Sequence, residues 1–184
     1  MRCLCYITTF LVVGVFPSIA TPIGLAKTQG TQGLSYSEIS SMIKEQGAKE
    51  TVKKLYGNPN AWNGLLLNIA SGKREWLNMA VQLKAGADAG ISGMLKFAVG
   101  EALENAPELV LQVAADGFSL EDICGSPDVD DVRFSTYEKA LESITRRIEA
   151  LEEIRNQEIG KKRQYCIEKL KESISRLQQF YGVK

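Results

Sequence analysis

The chain of 184 residues contains no histidine. That absence removes the Ser-His-Asp and Cys-His arrangements, and with them most zinc sites, because imidazole is the usual base or ligand in all of these. The glycines do not fall in GxxxxGK or GxGxxG order, so no phosphate-cradling loop is present. Only four cysteines occur, and the two outside the first twenty residues, Cys124 and Cys166, lie too far apart for a CxxC redox motif. Net charge is also lacking, with 22 basic residues against 22 acidic ones. A chain so balanced has no electrostatic case for nucleic acid or for an anionic membrane as its partner. Strand signals are absent as well: Val12-Val13 falls in the N-terminal apolar run, and the segment from Asp130 to Phe134 is too short and charged for more than an edge strand.

What is present begins with the first twenty residues, MRCLCYITTFLVVGVFPSIA. One basic residue, an apolar run to Phe16, Pro17 and then small residues at Ser18 and Ala20 follow the order of a secretory signal peptide, with cleavage between Ala20 and Thr21. The apolar run is about 14 residues, short of the roughly 20 that cross a bilayer as a helix. No stable membrane insertion is therefore expected once the signal is removed, and the expected location is the periplasm or the exterior. Cleavage also removes Arg2, leaving 21 basic and 22 acidic residues, and discards Cys3 and Cys5. Two cysteines in an oxidising compartment usually form a disulfide, so Cys124 and Cys166 are expected to pair within the chain, with an intermolecular link as the competitor.

Residues 21–34 are rich in Gly, Thr and Gln without periodicity and read as a flexible lead-in. A helical core is expected over residues 35–124. Ser35 with Glu38 forms a capping box ahead of Ile39, Met42, Ile43, Val52 and Leu55, with Gly47 a point where the helix bends or divides. Asn58 and Pro59 start a helix carrying Trp62, Leu65, Leu66 and Ile69. The stretch from Gly72 to Ala115 then reads as three consecutive helices, the second capped by Asp88 and patterned by Ile91, Met94, Leu95, Ala98, Val99, Ala102 and Leu103. Ser119 with Asp122 opens a short helix that delivers Cys124. Turns of two to four residues make neighbouring helices antiparallel, so the expected fold is all-α, a compact antiparallel bundle or short helical array.

After a polar connection at residues 125–134, the composition becomes charged and helix-favouring. Ser135 with Glu138 reads as another capping box, and two apolar seams follow: Tyr137, Leu141, Ile144, Ile148, Leu151, then Ile167, Leu170, Ile174, Leu177, Tyr181. The seams are out of phase, as either a stutter in one long kinked helix or a turn near Asn156 to Gly160 would make them. An unbroken helix from Ser135 would carry Cys166 about 46 Å away. The chain from Cys124 to Ser135 reaches at most about 40 Å. An intramolecular bridge thus favours a hairpin over residues 135–182, its acidic first arm facing a basic second arm.

Four candidate sites come from residue types alone. Glu101 and Glu104 lie three apart on one helix and could do acid-base work if buried together, but they read as a solvated flank next to the core residues Ala102 and Leu103. Asp128, Asp130 and Asp131 lack the glycine and distal glutamate of a calcium loop, so they read as an acidic turn and no metal site is assigned. Trp62 and Trp76 sit on apolar faces and read as core rather than as a stacking platform. Lys161, Lys162 and Arg163 read as a hairpin tip or solvated face. No catalytic residue and no cofactor is assigned; the expected role is non-enzymatic, through a protein partner or a homodimer.

The segment WLNMAVQLKAGADAGISGMLKFAVGEALENAPELVL, with ICG at Ile123 to Gly125 and YCIEKL at Tyr165 to Leu170, resembles a group of small exported proteobacterial proteins of unknown function. Their pattern is W-L near a helix start, G-x-D-A, A-L-x-x-x-P-x-x-V-L, one Cys in a C-G step and one in a late helix; the likeness spans about two-thirds of the chain. It implies a bacterial periplasmic location and a Cys124 to Cys166 bridge, and no activity. Size, leader, helical content and disulfide are also similar to those of the periplasmic immunity proteins that neutralise type VI secretion amidase toxins, with no motif specific to that family matched.

Overall fold

A computed structural model describes residues 34–113, 117–125 and 134–183. The expected signal peptide with its Ala20–Thr21 cleavage site, nearly all of the expected lead-in, and Asp128, Asp130 and Asp131 of the expected acidic turn lie outside the described residues. The rest is helical. In chain order the elements are α1 (Tyr36–Tyr56), α2 (Pro59–Ala70), α3 (Arg74–Lys84), α4 (Ala89–Glu101), a 3-10 turn (Ala102–Glu104), α5 (Pro107–Val113), α6 (Leu120–Ile123), α7 (Tyr137–Glu152) and α8 (Gly160–Tyr181). No strand occurs among the described residues.

Local chemistry explains most of the boundaries. The Ser35 hydroxyl accepts from the Glu38 backbone N–H while the Glu38 carboxylate accepts from the Ser35 N–H, so two otherwise unpaired groups at the head of α1 are satisfied reciprocally. Asn58 accepts from the Ala61 N–H ahead of Pro59. Asp88 accepts from the Ile91 N–H at 2.9 Å, and Ser119 from the Asp122 N–H at 3.0 Å. One expected cap is corrected. Helix α7 is capped not by Ser135 but by Thr136, whose hydroxyl accepts from the Lys139 N–H. Both residues can supply the oxygen, and Thr136 holds the extended backbone a cap requires, φ −122° and ψ 155°, immediately before the first helical residue.

Helix α1 does divide at Gly47, whose φ of 81° and ψ of 165° lie far from helical values. The carbonyl that the break releases is taken up by the buried Thr51, whose hydroxyl donates to Gly47 O at 2.8 Å. A second glycine matters through what it touches. Gly86, in the α3–α4 turn, lies against the backbone of Ala48 and Lys49, and a Cβ there would come within 2.3 Å of the Lys49 nitrogen. Gly86→Ala is expected to cost about 2 kcal/mol, because backbone rather than a yielding side chain must move; a urea midpoint equal to that of the unchanged protein would refute the close approach.

The core is continuous across the helices. Ile39 and Leu55 of α1, Trp62, Leu65 and Ile69 of α2, Leu77, Met79 and Leu83 of α3, Leu95 and Val99 of α4, and Leu103 and Leu111 are all buried. Both tryptophans belong to it, Trp76 with its ring edge-on to Tyr36 and Trp62 edge-on to Tyr56.

The C-terminal segment is a hairpin: α7 stops at Glu152, and α8 starts at Gly160 and returns along it in the most extensive helix–helix contact of the fold. Acidic and basic arms do not hold it closed. Among the described residues no ion pair joins α7 to a lysine or arginine of α8; Arg146 pairs with Glu142 inside α7 and Lys169 with Glu172 inside α8. Exposed pairs contribute about 0 to 1 kcal/mol each, too little to dictate packing. The buried seam of Ile144, Leu151, Ile167, Leu170 and Leu177 does so instead. Arg163 fastens the turn by donating to the Ile154 carbonyl at 2.6 Å, and Lys162 reaches the Leu111 carbonyl at 3.1 Å. Two of the three residues in the basic run are thus used inside the fold.

Candidate functional site

Cys124 and Cys166 form the intramolecular disulfide, their Cα atoms 4.9 Å apart and both side chains fully buried. The four-residue α6 presents Cys124 to the first third of α8. Beside it, Asp122 of α6 faces Lys96 of α4 at 3.4 Å. Burial pushes the Asp122 carboxyl up, but hydrogen bonds from Ser119 and the Lys96 charge outweigh it and hold the group below the usual aspartate range. A carboxyl lowered in the folded state stabilises above its unfolded value and loses that contribution as pH falls through the folded value. Stability should therefore fall more steeply on acidification in the unchanged protein than in Asp122→Asn; parallel urea midpoints from neutral to acid pH in the two proteins would rule this out.

The first concave feature lies between the end of α2, the 3-10 turn and the first half of α7. It encloses about 390 Å³ and is lined by Ala70, Glu101, Glu104, Asn105, Phe134, Lys139, Glu142 and Arg146. The carboxylates proposed as an acid-base pair, Glu101 and Glu104, do share this cavity. Their roles differ, however, because Glu104 is drawn into α7: Ser143 Oγ donates to Oε1 at 2.7 Å and Arg146 Nε to Oε2 at 3.0 Å. Arg147 adds a third partner, its Nε 3.9 Å from Oε1 and its Nη2 donating to Ser143 Oγ at 3.2 Å. The Glu104 hydrogen bond raises Arg146 above its ordinary value, so that guanidinium stays charged. Asn105 Nδ2 donates to the Ala70 carbonyl and ties the turn to α2. Among the described lining residues there is no hydroxyl or thiol nucleophile.

Arg147 was not legible as a core residue. Its side chain is 2% exposed, and the buried face of α7 runs through Ala140, Ser143, Ile144, Arg147 and Leu151 rather than along Tyr137, Leu141 and Ile148, which are half-buried. The small residues Ala140 and Ser143 on the same stripe were the available signal, since they leave the space a guanidinium needs.

The second concave feature is of another kind. A cleft of about 620 Å³ opens between the second half of α1 and the α3–α4 turn, with Val52, Tyr56 and Ile91 as its apolar lining, Gly86 at its side, and Lys49, Lys53 and Asp88 among its polar residues. Tyr56 is 48% exposed, and its ring packs edge-on to Trp62 at 5.6 Å. The Trp62 indole N–H in turn donates to the Met94 sulfur at 3.3 Å, and Met94 is 37% exposed. The tyrosine, the buried indole and the thioether are therefore in contact in series, the tyrosine at the edge of the cleft.

Among the described residues, no three His, Cys, Asp or Glu side chains converge as a metal site requires, and no helix is long and apolar enough to cross a membrane. No protein-family model, curated protein or solved structure matches the chain.

Proposed function

We propose that the protein is exported to the periplasm or beyond and acts there, without catalysis, by binding another protein. The observation that carries this reading is the apolar cleft with Tyr56 exposed at its edge and the part-exposed Met94 joined to it through Trp62, because large aromatic and thioether surfaces left open on a helical scaffold are the usual material of protein interfaces. The leader pattern and the Cys124–Cys166 bridge support an oxidising compartment. The acid-lined cavity supports the non-enzymatic reading, since Glu104 serves as the anchor of α7.

Within this class, the size, leader, helicity and disulfide favour an immunity protein that inhibits a secreted cell-wall hydrolase; the alternative is an envelope structural or assembly factor. The test is purification of the tagged full chain from the extracytoplasmic fraction of its native host, combined with inspection of the neighbouring reading frames. A single stoichiometric partner, encoded next door and toxic without this protein, establishes the inhibitor. Several envelope partners and no protection establish the assembly factor, and a chain that recovers no partner or only itself overturns hetero-protein binding.

A further inference from the structure

The binding reading leaves open which surface is used and what chemistry it selects, and the α1 cleft answers both. Lys49 and Lys53 stand one helical turn apart on its edge, both exposed, and neither ammonium has a hydrogen-bond or ion-pair partner among the described residues. The carboxylate beside them, Asp88, is already engaged as the cap of α4, accepting from the Ile91 N–H. The positive end of that thirteen-residue helix points the same way in charge terms. An apolar floor bordered by two unpaired cations is complementary to an apolar side chain bordered by carboxylates.

We propose that this cleft docks an acidic amphipathic segment of the partner protein, an aliphatic or aromatic side chain seating against Val52, Tyr56 and Ile91 while flanking carboxylates pair with Lys49 and Lys53. The inference rests on the protein-binding reading and names its partner class. The spacing of the lysines sets the register, since residues four apart on a helix have Cβ atoms about 6 Å apart. Carboxylates at i and i+4 of a partner helix, or at i and i+2 of a partner strand, match that separation. A lipid surface suits the site less well. Two lysines attract an anionic bilayer by only about 1 kcal/mol each, and a concave apolar site cannot be pressed against a flat one.

The test uses the mature full chain and two synthetic peptides that share a Leu-Phe centre, one flanked by glutamates and one by lysines. The glutamate peptide should bind saturably, perturb the amide resonances of Val52, Gly57, Gly86 and Ile91, and quench Trp62 fluorescence in a Trp76→Phe background. Lys49→Glu with Lys53→Glu should weaken it about tenfold, two ion pairs being turned into repulsions, and Tyr56→Ala should weaken it without altering the salt dependence. Equal binding of the lysine peptide, or indifference to the charge reversal, overturns the proposal. So does charge-sensitive binding to phosphatidylglycerol vesicles without peptide binding, or a concentration-dependent dimer abolished by Tyr56→Glu. If a partner recovered from the host binds a variant carrying Lys49→Glu, Lys53→Glu and Tyr56→Ala together as tightly as the unchanged protein, the cleft is excluded while protein binding stands; if no partner exists, the broader reading fails independently of the peptide result.

Discussion

Replacing both Cys124 and Cys166 by alanine should lower the unfolding free energy by about 4 kcal/mol. The bridge spans 42 positions, and closing a loop of that length removes roughly 13 cal/mol/K of conformational entropy from the unfolded chain. Total stabilities of about 5 to 15 kcal/mol make this a large share. Its structural reason is local. Helix α6 has only four residues, far below the length at which a helix persists alone, so it depends on its tertiary contacts, buried Ile123 against the core and the covalent bridge to α8. Alanine is chosen over serine because both sulfurs are fully buried and a hydroxyl there would need a partner. Urea unfolding of the double variant beside the oxidised protein gives the difference directly, and a loss under 1 kcal/mol would show that the helices dock without the link. Reduction should also be slow in the native state, because neither sulfur is open to a thiolate.

Glu104→Ala should cost about 3 kcal/mol, which is large for a residue of the 3-10 turn. The carboxylate is the acceptor for Ser143 and Arg146 and lies 3.9 Å from the Nε of the buried Arg147, so its removal breaks two hydrogen bonds and takes a counter-charge from a guanidinium in the core. Removing the cation instead should be milder: Arg147→Met fills much of the same space with apolar atoms and takes away the charge that Glu104 must balance. The two substitutions together should then be less destabilising than Glu104→Ala alone. That sign reversal, read from urea midpoints of the three variants, separates a structural ion pair from an acid-base centre. If instead Glu104→Gln and Glu104→Ala left stability unchanged, the anchoring role would be wrong and the cavity would again be open to a chemical one.

The all-helical class and most helix starts were legible because they depend on short-range rules, and the disulfide partners because few cysteines were available. Ser35, Asn58 and Asp88 cap helices through their own side chains within three residues, and the Cys124–Cys166 pairing followed from the expected compartment and from only two cysteines lying outside the expected leader. Where two neighbours could do the same job, local rules did not choose: Thr136 took the cap expected of Ser135. The expectation that opposite charges would pair across the hairpin also gave way, because solvated ions gain too little from pairing to compete with an apolar seam.

From residue order alone came an all-helical fold, its punctuation, and the exclusion of histidine-dependent chemistry. Each follows from what a side chain does to its own backbone or from what a residue type can do at all. Tertiary structure alone decided that Gly86 sits on the backbone of Lys49, that Arg147 lies inside the core opposite Glu104, and that Lys162 and Arg163 serve internal carbonyls while Lys49 and Lys53 border an open cleft. A lysine or arginine can lay its stem along apolar surface and send its charge either way, so the same residue type serves interior or surface according to which carbonyls and carboxylates the packed helices bring within reach.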